Sequence, residues 1–169
     1  VNCAAGTFTA TNERSAYINL NHEVVAWQTT SGILSAPRSN LTLTQLPDGR
    51  ALAAGGADAS TTLDASEAFD PVNRVWVPTA KMKRSRSHHT ATLLPNGNVL
   101  VAAGFTALGN STGTTNHAEI FYPGSSAWVH TAPMLSSRAF HAAVLLPEGN
   151  PMFMGGFSNG SYLSSTEVF

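Results

Sequence analysis

The sequence predicts an all-β fold built from repeated four-stranded antiparallel sheets. Three observations lead there. A hairpin-like segment recurs three times, a tryptophan recurs at nearly the same interval, and turn residues punctuate short apolar runs.

The recurring segments are Arg38–Gly56 (RSNLTLTQLPDGRALAAGG), Arg86–Gly104 (RSHHTATLLPNGNVLVAAG) and Arg138–Gly156 (RAFHAAVLLPEGNPMFMGG). They align without a gap at offsets of 48 and 52 residues. Each reads as two extended stretches around a Leu-Pro-x-Gly turn. In the second copy, Thr90 to Leu94 leads into Pro95-Asn96-Gly97, and Val99 to Ala103 leaves it. Asn-Gly and Asp-Gly tolerate the positive φ that a tight hairpin needs. Both stretches are apolar enough to be buried on two faces. Pro151 opens its stretch, where a missing N–H is tolerated.

After a variable loop comes a third strand: Ala65 to Asp70, Ala118 to Tyr122 and Thr166 to Phe169. A turn follows, at Asp70–Arg74 or Tyr122–Ser126, and then a fourth strand carrying Trp76 or Trp128, with Trp27 as the earlier counterpart. Four strands in about 50 residues is the period of a β-propeller blade. On this count Val1 falls inside a second strand and Phe169 inside a third. The units span 1–37, lacking the first strand, then 38–85, 86–137, and 138–169, lacking the fourth. That makes 14 strands, or about three and a half blades of an incomplete ring. The rest of a longer chain, or a second copy, is expected to close it, because open sheet edges invite association.

These residues resemble the kelch family. The resemblance rests on the glycine pairs Gly55-Gly56 and Gly155-Gly156, and on Phe69, Phe121 and Phe169 in the third strands. It rests also on the tryptophan seven residues beyond the first two of these, and on a basic residue before the next first strand. It covers nearly the whole chain. Two copies depart from it: Ala103-Gly104 and Ala5-Gly6 stand where the pair is expected. The resemblance implies a propeller fold and leaves function open, because one scaffold hosts many roles.

Composition narrows the function classes. Hydrophobic residues make up 43% of the chain and charged residues only 11%, with a net charge of −1. A core is affordable, and the surface must be mostly Ser, Thr, Asn and Gly, which suits an extracellular setting. No basic stripe exists for nucleic acid. No apolar run is long enough to span a bilayer. Cys3 is the single cysteine, so no intrachain disulfide and no cysteine-based zinc site is available, and it reads as a small buried strand residue. The triplets beginning at Asn40, Asn110 and Asn159 are glycosylation sequons.

Groups found at the same place in each repeat read as scaffold. Arg38, Arg86 and Arg138, with Glu67, Glu119 and Glu167, are expected to bond between blades; Gly104 belongs with the glycine pairs. His89 and His141 also align and read as structural. The unrepeated polar groups are the binding candidates: His88, His117, His130, Arg84, Asn110, Asn159 and Tyr162. In an up-and-down sheet the loop between strands two and three shares an edge with the linker to the next sheet. The loops Asp58 to Thr62, Thr106 to Asn116 and Ser158 to Ser161 should therefore meet the linkers Lys81 to His88 and His130 to Ser137. That edge, rich in hydroxyls and amides, suits a glycan or a peptide.

The leading reading is a non-catalytic binding or structural module with no cofactor and no metal. Two alternatives stand beside it. The Leu-Pro-x-Gly hairpins are similar to those of galactose-oxidase-like copper radical enzymes. That resemblance implies a Tyr–Cys crosslink with its Cys in a first strand, whereas Cys3 falls in a second strand. The other alternative is a propeller lectin, with Phe105, Phe157 and Tyr162 as aromatic platforms. Paired catalytic carboxylates, a nucleophile elbow and a phosphate-binding glycine loop are absent from the sequence.

Overall fold

A computed structural model describes Tyr17–Ile18, Val24–Val25, Thr30, 32–108 and 113–169. Every regular element among these residues is a β-strand, and no helix is long and apolar enough to cross a membrane. Cys3, Trp27 and Asn110 lie outside the described residues.

The chain divides into two compact units, Val1–Ser31 and Gly32–Phe169. In the first, β1 (Tyr17–Ile18) pairs antiparallel with β2 (Val24–Val25). The second holds three antiparallel sheets. The first sheet is β3 (Thr42–Gln45), β4 (Ala51–Ala54), β5 (Ser66–Asp70) and β6 (Val75–Pro78), in that order. The second is β7 (Thr90–Leu93), β8 (Val99–Ala102), β9 (Ala118–Tyr122) and β10 (Ala127–His130). The third contains β11 (Ala142–Leu145) and β12 (Pro151–Met154), followed by β15 (Thr166–Val168). A small hairpin, β13 (Phe157–Ser158) with β14 (Ser161–Tyr162), stands between β12 and β15. The sequence predicts only a loop at Ser158 to Ser161; Asn159 at φ 48° and Gly160 at φ 86° close a hairpin there as a two-residue turn.

Each Leu-Pro-x-Gly segment makes the same turn. The Leu94 N–H donates to Asn98 O at 2.8 Å, and the Gly97 N–H donates to Leu94 O at 2.9 Å. Gly97 takes φ 83°, as Gly49 and Gly149 do at 87° and 90°. The Asn96 side chain accepts from the Asn98 N–H at 3.1 Å, the local bond that makes Asn and Asp good turn formers.

Strand β8 shows why the sheets stack. Its side chains alternate between two faces. Val99 and Val101 join a cluster with Leu52, Ala54, Met82, Phe121 and Trp128. Leu100 and Ala102 face the other way, onto Ala118, Phe153 and Leu94. The second sheet is thus a shared layer between the first and third, and each large side chain fully buried there contributes roughly 1.5–3 kcal/mol. The first strands differ from expectation. Thr42 and Thr44 are half-buried but Leu43 is 65% exposed, and Val144 and Leu145 of β11 are exposed as well.

The repeated Arg and Glu bond between repeats through the glutamates, while their ion pairs lie within one repeat. Arg38–Glu67, Arg86–Glu119 and Arg138–Glu167 pair inside one repeat, at 2.5, 2.7 and 2.5 Å. What crosses between repeats is the backbone of the preceding linker. The Lys83 and Arg84 N–H groups donate to Glu119 at 2.6 and 3.1 Å. Ser35 does the same for Glu67, and Leu135 and Ser136 for Glu167. Each carboxylate therefore ties an arginine of its own sheet to the strap that arrives from the sheet before. Burial pushes the Arg86 pKa down, and the Glu119 carboxylate works against that.

Candidate functional site

The loops between second and third strands meet the linkers along one edge, joined by hydroxyls. Thr62 Oγ1 bonds Ser85 Oγ at 3.0 Å and donates to Thr106 O at 2.9 Å. One repeat on, Thr114 bonds Ser137 and Ser158 at 3.2 Å each, and Ser137 bonds Ser158 at 2.7 Å. Several hydroxyls that the sequence offered to a ligand are thus engaged with one another, stitching neighbouring sheets.

At the same edge each repeat holds one residue in the left-handed region: Asn40 at φ 55°, His88 at φ 53° and Phe140 at φ 55°. None is glycine, so each carries a backbone cost that its neighbours must hold in place. The hold is a backbone ladder between sheets. The His88 N–H donates to Asn40 O at 3.1 Å, and the Phe140 N–H donates to His88 O at 3.1 Å. One backbone shape therefore presents three different side chains.

Two of those side chains touch. The His88 and Phe140 rings lie 4.2 Å apart, and both meet Phe105 edge-on, at 5.7 and 5.5 Å. Phe105 is fully buried, so it backs the other two and is not the exposed platform expected of it. Burial lowers the His88 pKa, leaving a neutral ring at pH 7. Phe140 is 53% exposed. Beside it the β13–β14 hairpin sets Phe157 against Tyr162 at 5.6 Å, with Tyr162 90% exposed. A cavity of about 550 Å³ opens here, lined by Phe140, Gly156, Phe157, Tyr162 and Leu163. No lining residue carries a charge.

Gly156 shapes the floor of this cavity. It takes φ 99°, and a Cβ there would stand 2.6 Å from Ala139 O. Only glycine lets the two backbones approach so closely. Gly56 and Gly104 repeat the geometry against Ser39 O and Ser87 O. Gly55 and Gly155 take φ 63° and 66°, and Ala103 occupies the same region at φ 62°.

No protein-family model and no curated protein matches the chain.

The other binding candidates fall into separate places. The His117 and His130 rings lie 6.4 Å apart. The His117 pKa is lowered by burial and then by Arg84, and its carbonyl accepts from Arg86 at 2.9 Å. The Arg84 backbone serves Glu119. Asn159 is exposed at the hairpin tip, and Asn40 is exposed with its side-chain N–H donating to Ser39 Oγ at 3.2 Å. Among the described residues no three His, Cys, Asp or Glu side chains group to hold a metal ion.

The aligned histidines bond from sheet to sheet. His89 Nε2 meets Thr42 Oγ1 at 3.0 Å, and His141 Nε2 meets Thr90 Oγ1 at 2.8 Å. Burial drives the His89 pKa far down and takes His141 to about 4. Phe140 is not among the binding candidates that the sequence singles out. The signal was present, since Phe140 stands where Asn40 and His88 stand in the other repeats, but nothing in the sequence marks that position as exposed.

Proposed function

We propose that the chain is part of a kelch-type β-propeller that acts without catalysis as a recognition module, and that it takes a neutral glycan against Phe140 and Tyr162. The observation that carries the reading is the uncharged cavity between two exposed aromatic rings on the loop edge. A sugar ring presents apolar C–H faces and a rim of hydroxyls. The faces pack on the aromatic rings, which bring large contact area at little conformational cost. The hydroxyls reach Asn159 and Ser161, both exposed at the hairpin tip. With charged residues at only 11% of the chain, the fit is to a neutral ligand.

The propeller part of the proposal is supported by internal repetition and by the position of the first strands: β7 lies beside both β3 and β11, as radially arranged sheets require. The low charge and the exposed sequon residues Asn40 and Asn159 support an extracellular setting.

Binding of the 169-residue chain to a panel of neutral oligosaccharides tests the reading. Phe140→Ala and Tyr162→Ala should each weaken binding about tenfold, or about 1.4 kcal/mol. A chain that binds no neutral sugar, or whose binding neither substitution moves, would sink it.

A further inference from the structure

We propose that Arg84, His117 and His130 form a binding site for a tetrahedral oxyanion, a sulfate or phosphate group. Three parts of the middle repeat bring them together: the incoming linker, the residue just before β9, and the end of β10. The His117 and His130 rings lie 6.4 Å apart, and the Arg84 charge acts on the His117 ring. Arg84 and His130 are exposed and His117 is half-buried. The first strand of this repeat, β7, has β3 on one side and β11 on the other, so the place is flanked by a sheet on both sides.

The positive charge here has no counter-charge. Arg38, Arg50, Lys81, Arg86 and Arg138 each pair with a carboxylate. Among the described residues Arg84 pairs with none, nor does its neighbour Lys83. Glu119, opposite His130 in the strand register, is already committed. It is fully buried, and it accepts from Arg86 at 2.7 Å and from the Lys83 and Arg84 backbone. Burial and then Arg84 lower the His117 pKa, with His130 and Arg86 adding to the effect and Glu119 opposing it. A cation beside a half-buried imidazole disfavours its protonation, and a bound anion reverses that.

The fold does not require these three bases. In the first repeat Ala36, Ala65 and Pro78 stand at the places of Arg84, His117 and His130, and in the third Ser136 and Ser165 stand at the first two. The backbone is the same throughout. The carbonyls of Ala65, His117 and Ser165 accept from Arg38, Arg86 and Arg138 at 3.1, 2.9 and 3.2 Å. The Ser136 N–H donates to Glu167 at 3.0 Å as the Arg84 N–H does to Glu119 at 3.1 Å. One frame thus carries neutral residues in its outer copies and converging bases in the middle one.

The number of donors sets the class of ligand. A guanidinium offers a fork of N–H groups, and each protonated imidazole adds a charged donor. A tetrahedral oxyanion has an oxygen for each of three donor groups, whereas a carboxylate has only two oxygens. Binding takes up protons on the imidazoles, so it strengthens as the pH falls. The site is separate from the uncharged cavity at Phe140 and does not depend on the neutral-glycan reading.

The test uses the 169-residue chain and inorganic sulfate, which stays a dianion across the range, so that any pH dependence reports the imidazoles. Imidazole resonances of His117 and His130 are titrated with sodium sulfate and, at matched ionic strength, with sodium chloride. Sulfate should raise both pKa values and leave His88 unmoved, and it should bind about tenfold more tightly at about pH 5 than at about pH 8. Arg84→Ala, which copies Ala36, should weaken sulfate binding about tenfold with the far-UV circular dichroism unchanged. If that spectrum changes, His117→Ala, which copies Ala65, takes its place with the same expected loss. A sulfated disaccharide that binds more tightly than sulfate supports the site with a sugar-borne group as its ligand; one that binds no more tightly supports it with the free ion. Shifts that chloride reproduces, or sulfate binding that the substitution leaves unchanged, overturn the proposal.

Discussion

Two residue types govern how closely the sheets approach, and both make predictions. The Glu119 carboxylate takes the Arg86 guanidinium and two linker N–H groups, with Arg86 and Glu119 both fully buried. In Glu119→Gln the amide NH2 would face either donors from the linker or the arginine, and a buried cation would lose its counter-charge. Removing one partner of a buried pair costs about 3–5 kcal/mol, and urea unfolding should report a loss of that size. Gly156 and Gly160 separate conformation from crowding. Both have positive φ, but a Cβ at Gly156 meets Ala139 O at 2.6 Å, whereas nothing lies within 4 Å at Gly160. Gly156→Ala should therefore cost about 2–3 kcal/mol and Gly160→Ala about 1 kcal/mol. Equal costs would mean that the backbone approach at Gly156 relaxes freely.

At the scale of the element, the starts of β3 and β7 are each bonded to the neighbouring repeat through a buried histidine. His89 meets Thr42 and His141 meets Thr90, and in both rings Nδ1 is buried without a hydrogen-bond partner. Folded His141 titrates near 4, while a free histidine titrates near 6.5. Between these values the unfolded chain takes up a proton that the folded chain refuses. Stability is therefore fully present above about pH 6.5 and falls as the pH drops towards 4, by roughly 3 kcal/mol from this ring alone. His89 acts in the same direction. His141→Gln should flatten the loss measured between pH 7 and pH 4.5. A variant with the same pH dependence as the parent would place the titrating group elsewhere. The carboxylates with lowered pKa, such as Glu167, lose their contribution at lower pH still, so comparing parent and variant isolates the imidazole.

At the scale of the molecule, the three sheets of 32–169 share layers in series, so each linker, and the first strands β3 and β7, are held by the sheet after them. The β13–β14 hairpin stands on the last of these, and the exposed Tyr162 ring rests on Phe157. The proposed glycan site depends on this order. Gly156→Ala, which shifts the floor between Ala139 and the hairpin, should weaken oligosaccharide binding even where the chain remains folded, a readout that Gly160→Ala should move less.

The repeat, its four-strand period and its turn positions were legible in the sequence, because local chemistry decides them. Leu-Pro-x-Gly needs a glycine at positive φ, and an alternating apolar strand needs a covered face. The alignment of the Arg, Glu, His and Trp positions was legible for the same reason. Which arginine meets which glutamate was not, because pairing inside a repeat and pairing across repeats place the same residues at the same spacing. Nor was the contrast between Phe105 and Phe140. Both are aromatic residues near a loop, and burial follows from which neighbouring sheet covers them. The sequence by itself determined the strands, the turns and their period. Only the tertiary structure decided which carboxylate ties each linker and which aromatic rings face solvent, because each of these is set by contacts between sheets whose residues lie tens of positions apart.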